Sequence, residues 1–209
     1  MTDSGRLTVI AGPMFSGKSE ELMRRVRRAT IAGIDVLVVS HSLDTRSGIS
    51  TITSHTGVNI PAVPLGDVSS IAEAARQMDY DLIAIDEAQF FGPELIPTVD
   101  EFLHQGIGVI VEGLCVTFDG QPFEPLPSFM AVAEEVLRLT AVCTVCGKDA
   151  VFHQRLEQTE SQIDSNSATS AQAPASTLAA TAIDASHIGG LDTYVARCRQ
   201  HFTGGSQEA

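Results

Sequence analysis

Short apolar runs alternate with amphipathic stretches through the first half of the chain. Four runs rich in Val, Ile and Leu are typical of buried strands: 7–11, 35–40, 82–86 and 109–113. Three segments have apolar residues at helical spacing: 19–32, 70–78 and 93–104. Pro93 suits the start of the last helix, and Pro97 should kink or shorten it. The alternation predicts an α/β fold in which a parallel sheet is flanked by helices.

Three other segments lack this order. Residues 44–64 are rich in Ser, Thr and Gly and alternate only weakly, which predicts a hairpin or a mobile flap. Residues 158–182 consist largely of Ser, Ala, Thr, Gln and Asn without aromatic side chains, which predicts disorder because little apolar surface can be buried there. Residues 204–209 should also be loose, as chain ends often are.

A phosphate-binding pattern follows the first apolar run directly. Its residues match Gly-x4-Gly-Lys-Ser: Gly12, Pro13, Met14, Phe15, Ser16, Gly17, Lys18 and Ser19. Glycines let backbone N–H groups surround the phosphates, Lys18 neutralises charge, and the Ser19 hydroxyl can ligate magnesium. The alternative is a glycine-rich turn without a ligand. Because a strand precedes the pattern and a helix follows it, we expect a P-loop NTPase-like sheet that binds ATP.

Two acids end the third apolar run. Asp86 is placed to hold magnesium, as the carboxylate after such a strand does in P-loop enzymes. Glu87 stands one residue beyond, where it could accept a proton from an attacking hydroxyl or water. The alternative for Glu87 is an exposed acid at the end of a strand.

Two pairs of metal-binding residues lie in the last third of the chain. Cys143 and Cys146 form one pair, and Cys198 and His201 form the other. Three thiolates and one imidazole satisfy zinc without an open position, which predicts a structural zinc site. Unrelated buried cysteines are the alternative, because free cysteine is commonly buried. Cys115 is left over and should be a small core residue.

Length, composition and charge limit the number of domains, the class of substrate and the location of the protein. The 209 residues suit one principal domain with a small appendage, which we place at 1–140 for the ATP-binding part and 141–209 for the zinc-binding part. A formal net charge of −13 argues against nucleic acid and favours a small-molecule substrate. Without a signal-peptide pattern or a long apolar run, we expect a cytoplasmic protein that does not enter membranes.

Taken in order, these motifs resemble the thymidine kinases of the zinc-containing type that carry a lasso loop. The resemblance runs from about Arg6 to Phe202. Its most specific elements are the phosphate loop, the segment 86–91 (Asp-Glu-Ala-Gln-Phe-Phe), the segment 139–143 before the zinc ligands, and the segment 188–190 that leads to Tyr194 and Cys198.

The resemblance implies transfer of the ATP γ-phosphate to the 5′-hydroxyl of deoxythymidine, with Glu87 as the base. It implies that residues 12–19 and 86–89, including Ala88 and Gln89, bind ATP, that Ser19 and Asp86 hold Mg²⁺, and that residues 158–194 form the lasso. Residues implied at the nucleoside are Met14, Phe91, Leu114, Phe118, His153 and Tyr194, with Phe123 a further aromatic wall. For the apolar residues of this set, the alternative is that they pack in the core and do not contact the nucleoside. Arg46 matches a position near the phosphates. A homotetramer and inhibition by the end-product triphosphate are further implications.

Two departures bear on base selectivity. Cys115 and Val116 replace the polar and glycine residues common before Phe118, and the lasso holds an unusual Ser/Ala/Thr-rich insertion. His153 stands where a smaller hydroxyl residue is frequent. Two other functions remain open from the residues: a P-loop ATPase that moves the zinc lobe, and a nucleotide-sensing module in which Glu87 is idle.

Overall fold

A computed structural model describes residues 4–43, 51–53, 59–156 and 193–204 of the chain. In chain order its elements are β1 (Leu7–Gly12), α1 (Lys18–Ile31), β2 (Val36–His41), β3 (Thr51–Thr53), β4 (Asn59–Pro61), β5 (Val63–Leu65), α2 (Val68–Ala75), β6 (Leu82–Ile85), a 3₁₀ turn (Ala88–Phe91), α3 (Leu95–His104), β7 (Gly108–Leu114), α4 (Leu126–Val132), β8 (Glu135–Arg138), β9 (Ala141–Val142), β10 (Asp149–Ala150), β11 (Phe152–Arg155) and β12 (Tyr194–Arg197).

Six strands form one parallel sheet in the order β5-β2-β6-β7-β1-β8. The predicted α/β fold with a parallel sheet is therefore confirmed. The phosphate-loop strand β1 and the acid-bearing strand β6 are not neighbours, because β7 lies between them and pairs with both. Since parallel strands end at the same edge, the phosphate loop, the end of β6 and the end of β7 meet there.

Helices cover both faces of this sheet. On one face, α1 packs together with the β3–β4 hairpin, and Ile52 of β3 is 2% exposed. On the other face, α2, α3 and α4 bury Ile71, Val99 and Phe129 against the strands. Strands covered on both faces have no polar side, so they read in the sequence as unbroken apolar runs.

The helix boundaries differ in detail from the predicted ones. α2 begins two residues earlier than predicted, because the Asp67 carboxylate accepts the Ser70 N–H and caps the helix. α3 begins at Leu95, two residues after the predicted start at Pro93, and continues through Pro97 to the predicted end at His104, so Pro97 does not end it. Pro97 is the third residue of α3, where a backbone N–H has no partner within the helix and its loss is tolerated.

The predicted hairpin in residues 44–64 is confirmed by antiparallel pairing of β3 with β4. Residues 44–50 and 54–58, which include Arg46, lie outside the described residues. The sequence pattern did not predict β5, which adds an edge strand to the main sheet beside β2.

A small C-terminal lobe consists of two antiparallel pairs, β9 with β10 and β11 with β12. Its core packs against Phe15 of the phosphate loop. The segment 157–192, with the predicted disorder and most of the predicted lasso, lies outside the described residues, as does 205–209. The division at residue 140 into two domains stays a prediction.

Within the described part of the chain, no helix is both long and apolar enough to cross a membrane.

Candidate active site

The phosphate loop turns sharply between β1 and α1. Phe15 and Gly17 both have left-handed backbone conformations, with φ of 67° and 82°. Gly17 precedes α1 and provides no side-chain cap, so the N–H groups of the first turn are available to an anionic ligand. Gly12 is required by close packing, because a Cβ there would lie 2.6 Å from Ser16 Oγ and 2.8 Å from the Leu139 carbonyl oxygen.

The Lys18 side chain is folded back into the loop and is only 7% exposed. Its Nζ donates to the Pro13 carbonyl at 3.3 Å and lies 3.5 Å from Glu112 Oε1. A buried ammonium held beside a loop of backbone N–H groups can neutralise a phosphate that enters the loop.

The two predicted acids follow β6 directly and are both buried. Asp86 is 4% exposed and Glu87 is 8% exposed, so Glu87 is not the exposed strand-end acid of the alternative interpretation. Glu87 has φ 49° and ψ 46°, a left-handed conformation that is uncommon for a residue other than glycine. Such a conformation at a functional edge persists only where the surroundings hold it.

Gln89 links Glu87 to β7. Its Nε2 donates to Glu87 Oε2 at 2.5 Å, and its Oε1 accepts the Leu114 N–H at 3.0 Å. Gln89 is fully buried, so this pair of hydrogen bonds fixes the orientation of the Glu87 carboxylate.

Gly113 of β7 makes room for Gln89, and we predict that Gly113→Ala destabilises the fold. A Cβ at Gly113 would lie 2.2 Å from Gln89 Oε1 and 3.0 Å from Leu126 Cδ2. We expect a loss of about 1–3 kcal/mol in the free energy of unfolding, measured by urea denaturation. Gly108→Ala on the same strand is the matched control, because its Cβ would meet Leu82 at an ordinary 3.4 Å. Equal stability of the two variants would contradict the prediction.

Glu112 is the polar residue that the sequence interpretation missed. It lies within the apolar run of β7, is 0% exposed, and accepts the Glu87 N–H on Oε2 at 3.1 Å. Burial raises the pKa of Glu112 above its ordinary value; Lys18 opposes the rise and the charge of Glu87 adds to it. The sequence did contain a signal for Glu112: a carboxylate inside an apolar run that is typical of a strand covered on both faces. A carboxylate is rarely buried there unless it has a partner.

An apolar cluster lies next to the phosphate loop and contains most of the predicted nucleoside residues. Met14, Leu114, Phe123 and Tyr194 are buried together, and Phe118 packs against them. The buried His153 ring meets the Tyr194 ring edge-on at 5.7 Å between centroids.

Phe91 lies elsewhere. It belongs to the main core beneath the sheet and contacts the His41 ring at 4.5 Å between centroids. Phe91 thus packs in a different cluster from the other candidates, and its contact with the nucleoside stays a prediction.

The four predicted metal ligands converge, with all their ligand atoms within 4.8 Å of one another. His201 Nδ1 lies 3.2 Å from Cys198 Sγ and 3.7 Å from Cys143 Sγ, and the Cys146 and Cys198 sulfurs are 3.8 Å apart. Tetrahedral ligands about 2.3 Å from a zinc ion would lie about 3.8 Å from one another, so the group fits zinc.

The surroundings of Cys143 favour the thiolate that zinc requires. Burial raises the pKa of this thiol, but backbone N–H groups, including that of Cys198, and the His201 side chain outweigh burial and lower the pKa to about 5. Cys115 lies outside the cluster and packs against the main core, as expected.

A family model described as "Thymidine kinase" matches residues 5–202 of this chain. A thymidine kinase of Coprothermobacter proteolyticus is 41% identical over 201 residues, which cover 96% of this chain and 92% of the relative. A thymidine kinase of Deinococcus radiodurans is 45% identical over 161 residues (73% and 76%), and one of Halobacterium salinarum is 39% identical over 201 residues (95% and 94%).

Among solved structures, the genome packaging NTPase B204 of Sulfolobus turreted icosahedral virus 2, in complex with ATP-gammaS, matches with a TM-score of 0.44 at 15% identity. The match covers 64% of this chain and 74% of that chain. The family model and two of these relatives span nearly the whole sequence. The chain therefore belongs to the thymidine kinase family.

Proposed function

We propose that this protein is an ATP-dependent thymidine kinase, which transfers the γ-phosphoryl group of ATP to the 5′-hydroxyl of deoxythymidine. The observation that carries the proposal is the meeting of Lys18 and Glu87 at one edge of the sheet, in a chain of this family. The products are deoxythymidine monophosphate and ADP.

The ATP side of the site consists of residues 12–19 and 86–89. The loop N–H groups and the Lys18 ammonium bind the phosphates, while Ser19 and Asp86 hold the Mg²⁺ that accompanies ATP. This Mg²⁺ supplies charge neutralisation at the phosphates. Ser19 is the second residue of α1 and Asp86 follows β6, two elements that approach the same sheet edge, which supports this assignment.

Glu87 acts as the general base. As the 5′-oxygen forms its bond to the γ-phosphorus, the bond between that phosphorus and the β,γ-bridging oxygen breaks, and the hydroxyl proton passes to the Glu87 carboxylate. Gln89 orients that carboxylate through its 2.5 Å hydrogen bond. Positioning and charge supply most of the rate, since phosphoryl transfer needs little covalent chemistry from the protein.

The nucleoside occupies the neighbourhood of the apolar cluster beside the phosphate loop. Met14, Leu114, Phe118 and Tyr194 contribute apolar surface there, and His153 offers a polar group next to Tyr194. The burial of most of these residues between loop and lobe supports this assignment. Phe91 packs in the main core against His41, and we assign it to the support of the site from the core side.

Cys143, Cys146, Cys198 and His201 hold a structural zinc ion. Four protein ligands leave no open position for a substrate, so the zinc stabilises the lobe and takes no part in the transfer.

Three further assignments complete the proposal: a homotetramer, a cytoplasmic location, and no binding of nucleic acid. The last is supported by the net charge of −13, which repels phosphate backbones. Light scattering coupled to size-exclusion chromatography tests the tetramer.

The proposal is tested by phosphate transfer from labelled ATP with Mg²⁺. Thymidine, deoxyuridine, deoxycytidine, deoxyadenosine and deoxyguanosine are compared with a control that lacks nucleoside. We expect labelled product that depends on thymidine. ATP turnover without nucleoside would instead indicate an ATPase, and tight ATP binding without turnover would indicate a nucleotide sensor.

A further inference from the structure

Glu112 lies at the centre of the proposed active site, although no motif contains it. β7 is the strand between β1 and β6, and Glu112 pairs in register with Ile10 of β1. Ile110, two residues earlier on the same side of the strand, packs in the cluster that contains α1. The Glu112 side chain therefore lies between the phosphate loop and the end of β6, where solvent does not reach it.

The Asp86 side chain is a hydrogen-bonding neighbour of this carboxyl, and each of the two Glu112 oxygens has a further contact. Oε1 lies 3.5 Å from Lys18 Nζ, and Oε2 accepts the Glu87 N–H at 3.1 Å. The second contact falls on a residue with a left-handed backbone, a conformation that needs support from its surroundings. One buried side chain thus joins the residue that meets the phosphates to the residue that takes the proton.

We propose that Glu112 is a positioning residue for phosphoryl transfer, which holds the Lys18 ammonium and the Glu87 backbone in their relative places. The inference rests on the proposed kinase function. Glu112 itself touches neither substrate, and its effect passes through Lys18 and Glu87.

A glutamine at this position cannot make both contacts. Its amide offers one oxygen acceptor and one NH₂ donor, whereas Lys18 and the Glu87 N–H are both donors. One of them must then face the NH₂ group. Lys18 keeps its hydrogen bond to the Pro13 carbonyl oxygen at 3.3 Å, so the displacement falls on the Glu87 backbone and its carboxylate. A small displacement of a catalytic group lowers the rate of chemistry strongly, and we expect kcat of Glu112→Gln to fall about tenfold or more.

Substrate binding should respond differently from kcat. The loop N–H groups and the hydrogen bond from Lys18 to Pro13 do not involve Glu112, so the dissociation constant of a non-hydrolysable ATP analogue should stay within about twofold. The KM for thymidine should also stay within about twofold, because the proposed nucleoside residues form a separate apolar cluster.

The experiment compares the full-length protein with Glu112→Gln and with Glu135→Gln as the matched control. Glu135 also forms an ion pair, with Arg25 at 2.6 Å, but on the edge strand β8 away from the site. For each protein, kcat, the KM for thymidine, the dissociation constant of the ATP analogue and the melting temperature are measured. A fall in kcat alone, with Glu135→Gln unchanged, supports the proposal.

Other outcomes distinguish failure of the proposed kinase function from failure of the positioning role of Glu112. A wild-type protein that transfers no phosphate overturns the proposed function, and this inference with it. An active wild type with unchanged kcat in folded Glu112→Gln overturns the positioning role alone, and so does a loss of kcat that parallels a loss of analogue binding and melting temperature. If Glu112→Gln does not fold, Glu112→Ala is measured by the same criteria, and failure of both to fold assigns Glu112 a purely structural role.

Discussion

Glu87→Gln is expected to lower kcat about a thousandfold, the effect of removing a well-placed general base. The substitution keeps the size of the side chain and an oxygen that can still accept from Gln89 Nε2, which now lies 2.5 Å from Glu87 Oε2. The phosphate loop and Lys18 are unchanged, so the binding of ATP should stay within about twofold. What is lost is the carboxylate that takes the proton from the 5′-hydroxyl. Steady-state formation of deoxythymidine monophosphate and calorimetric binding of a non-hydrolysable ATP analogue measure the two quantities.

Glu94→Gln is the control for this variant. Glu94 is an exposed acid just before α3, close in sequence to Glu87 but on the surface, and its replacement should leave kcat unaltered. If Glu87→Gln retained kcat within about twofold of the wild type, Glu87 would have no part in proton transfer. A parallel loss of ATP binding would indicate instead that the left-handed turn at Glu87 had collapsed.

The buried strands of the sheet could be predicted from the sequence because they are covered on both faces. β2, β6 and β7 are rich in apolar residues, and their predicted bounds differ from the observed ones by no more than one residue at each end. The edge strands gave no such signal. β8 is a four-residue strand that alternates between half-buried and exposed positions, and β5 is three residues long with Pro64 at its centre.

The candidate site was predictable where function depends on local spacing. Lys18 and the two acids belong to short motifs, and their meeting at one edge follows from parallel strands ending together. Glu112 was not predictable in this way, because its partners lie on other strands and no spacing along the chain joins them. The position of Phe91 was likewise hidden, since the 3₁₀ turn after Glu87 decides which side of the sheet it faces.

Cys198→Ser is expected to remove the zinc ion and to raise the KM for thymidine about tenfold or more. Cys198 directly follows β12, the strand that begins with Tyr194. Tyr194 is 1% exposed and packs with Met14 and Leu114 in the cluster assigned to the nucleoside. A serine hydroxyl is a poor zinc ligand, and loss of one of four ligands should abolish tight binding. β12 would then be held by β11, by the hydrogen bond from the Thr144 N–H to the Ala196 carbonyl oxygen and by side-chain contacts, without the metal that fixes its end, so Tyr194 would lose its fixed place.

Zinc content by atomic emission, the melting temperature and the two KM values distinguish this effect from general damage. The wild type should carry about one zinc ion per chain, and Cys198→Ser should carry little and melt at a lower temperature. The KM for ATP should change less than that for thymidine, because Lys18 and the phosphate loop depend on β1 and α1. Cys115→Ser is the control, since Cys115 lies outside the metal cluster and its replacement should leave zinc content at the wild-type level. A wild type without zinc, or a Cys198→Ser variant that retains it, would show that the four residues do not form a zinc site and that the lobe holds Tyr194 by packing alone.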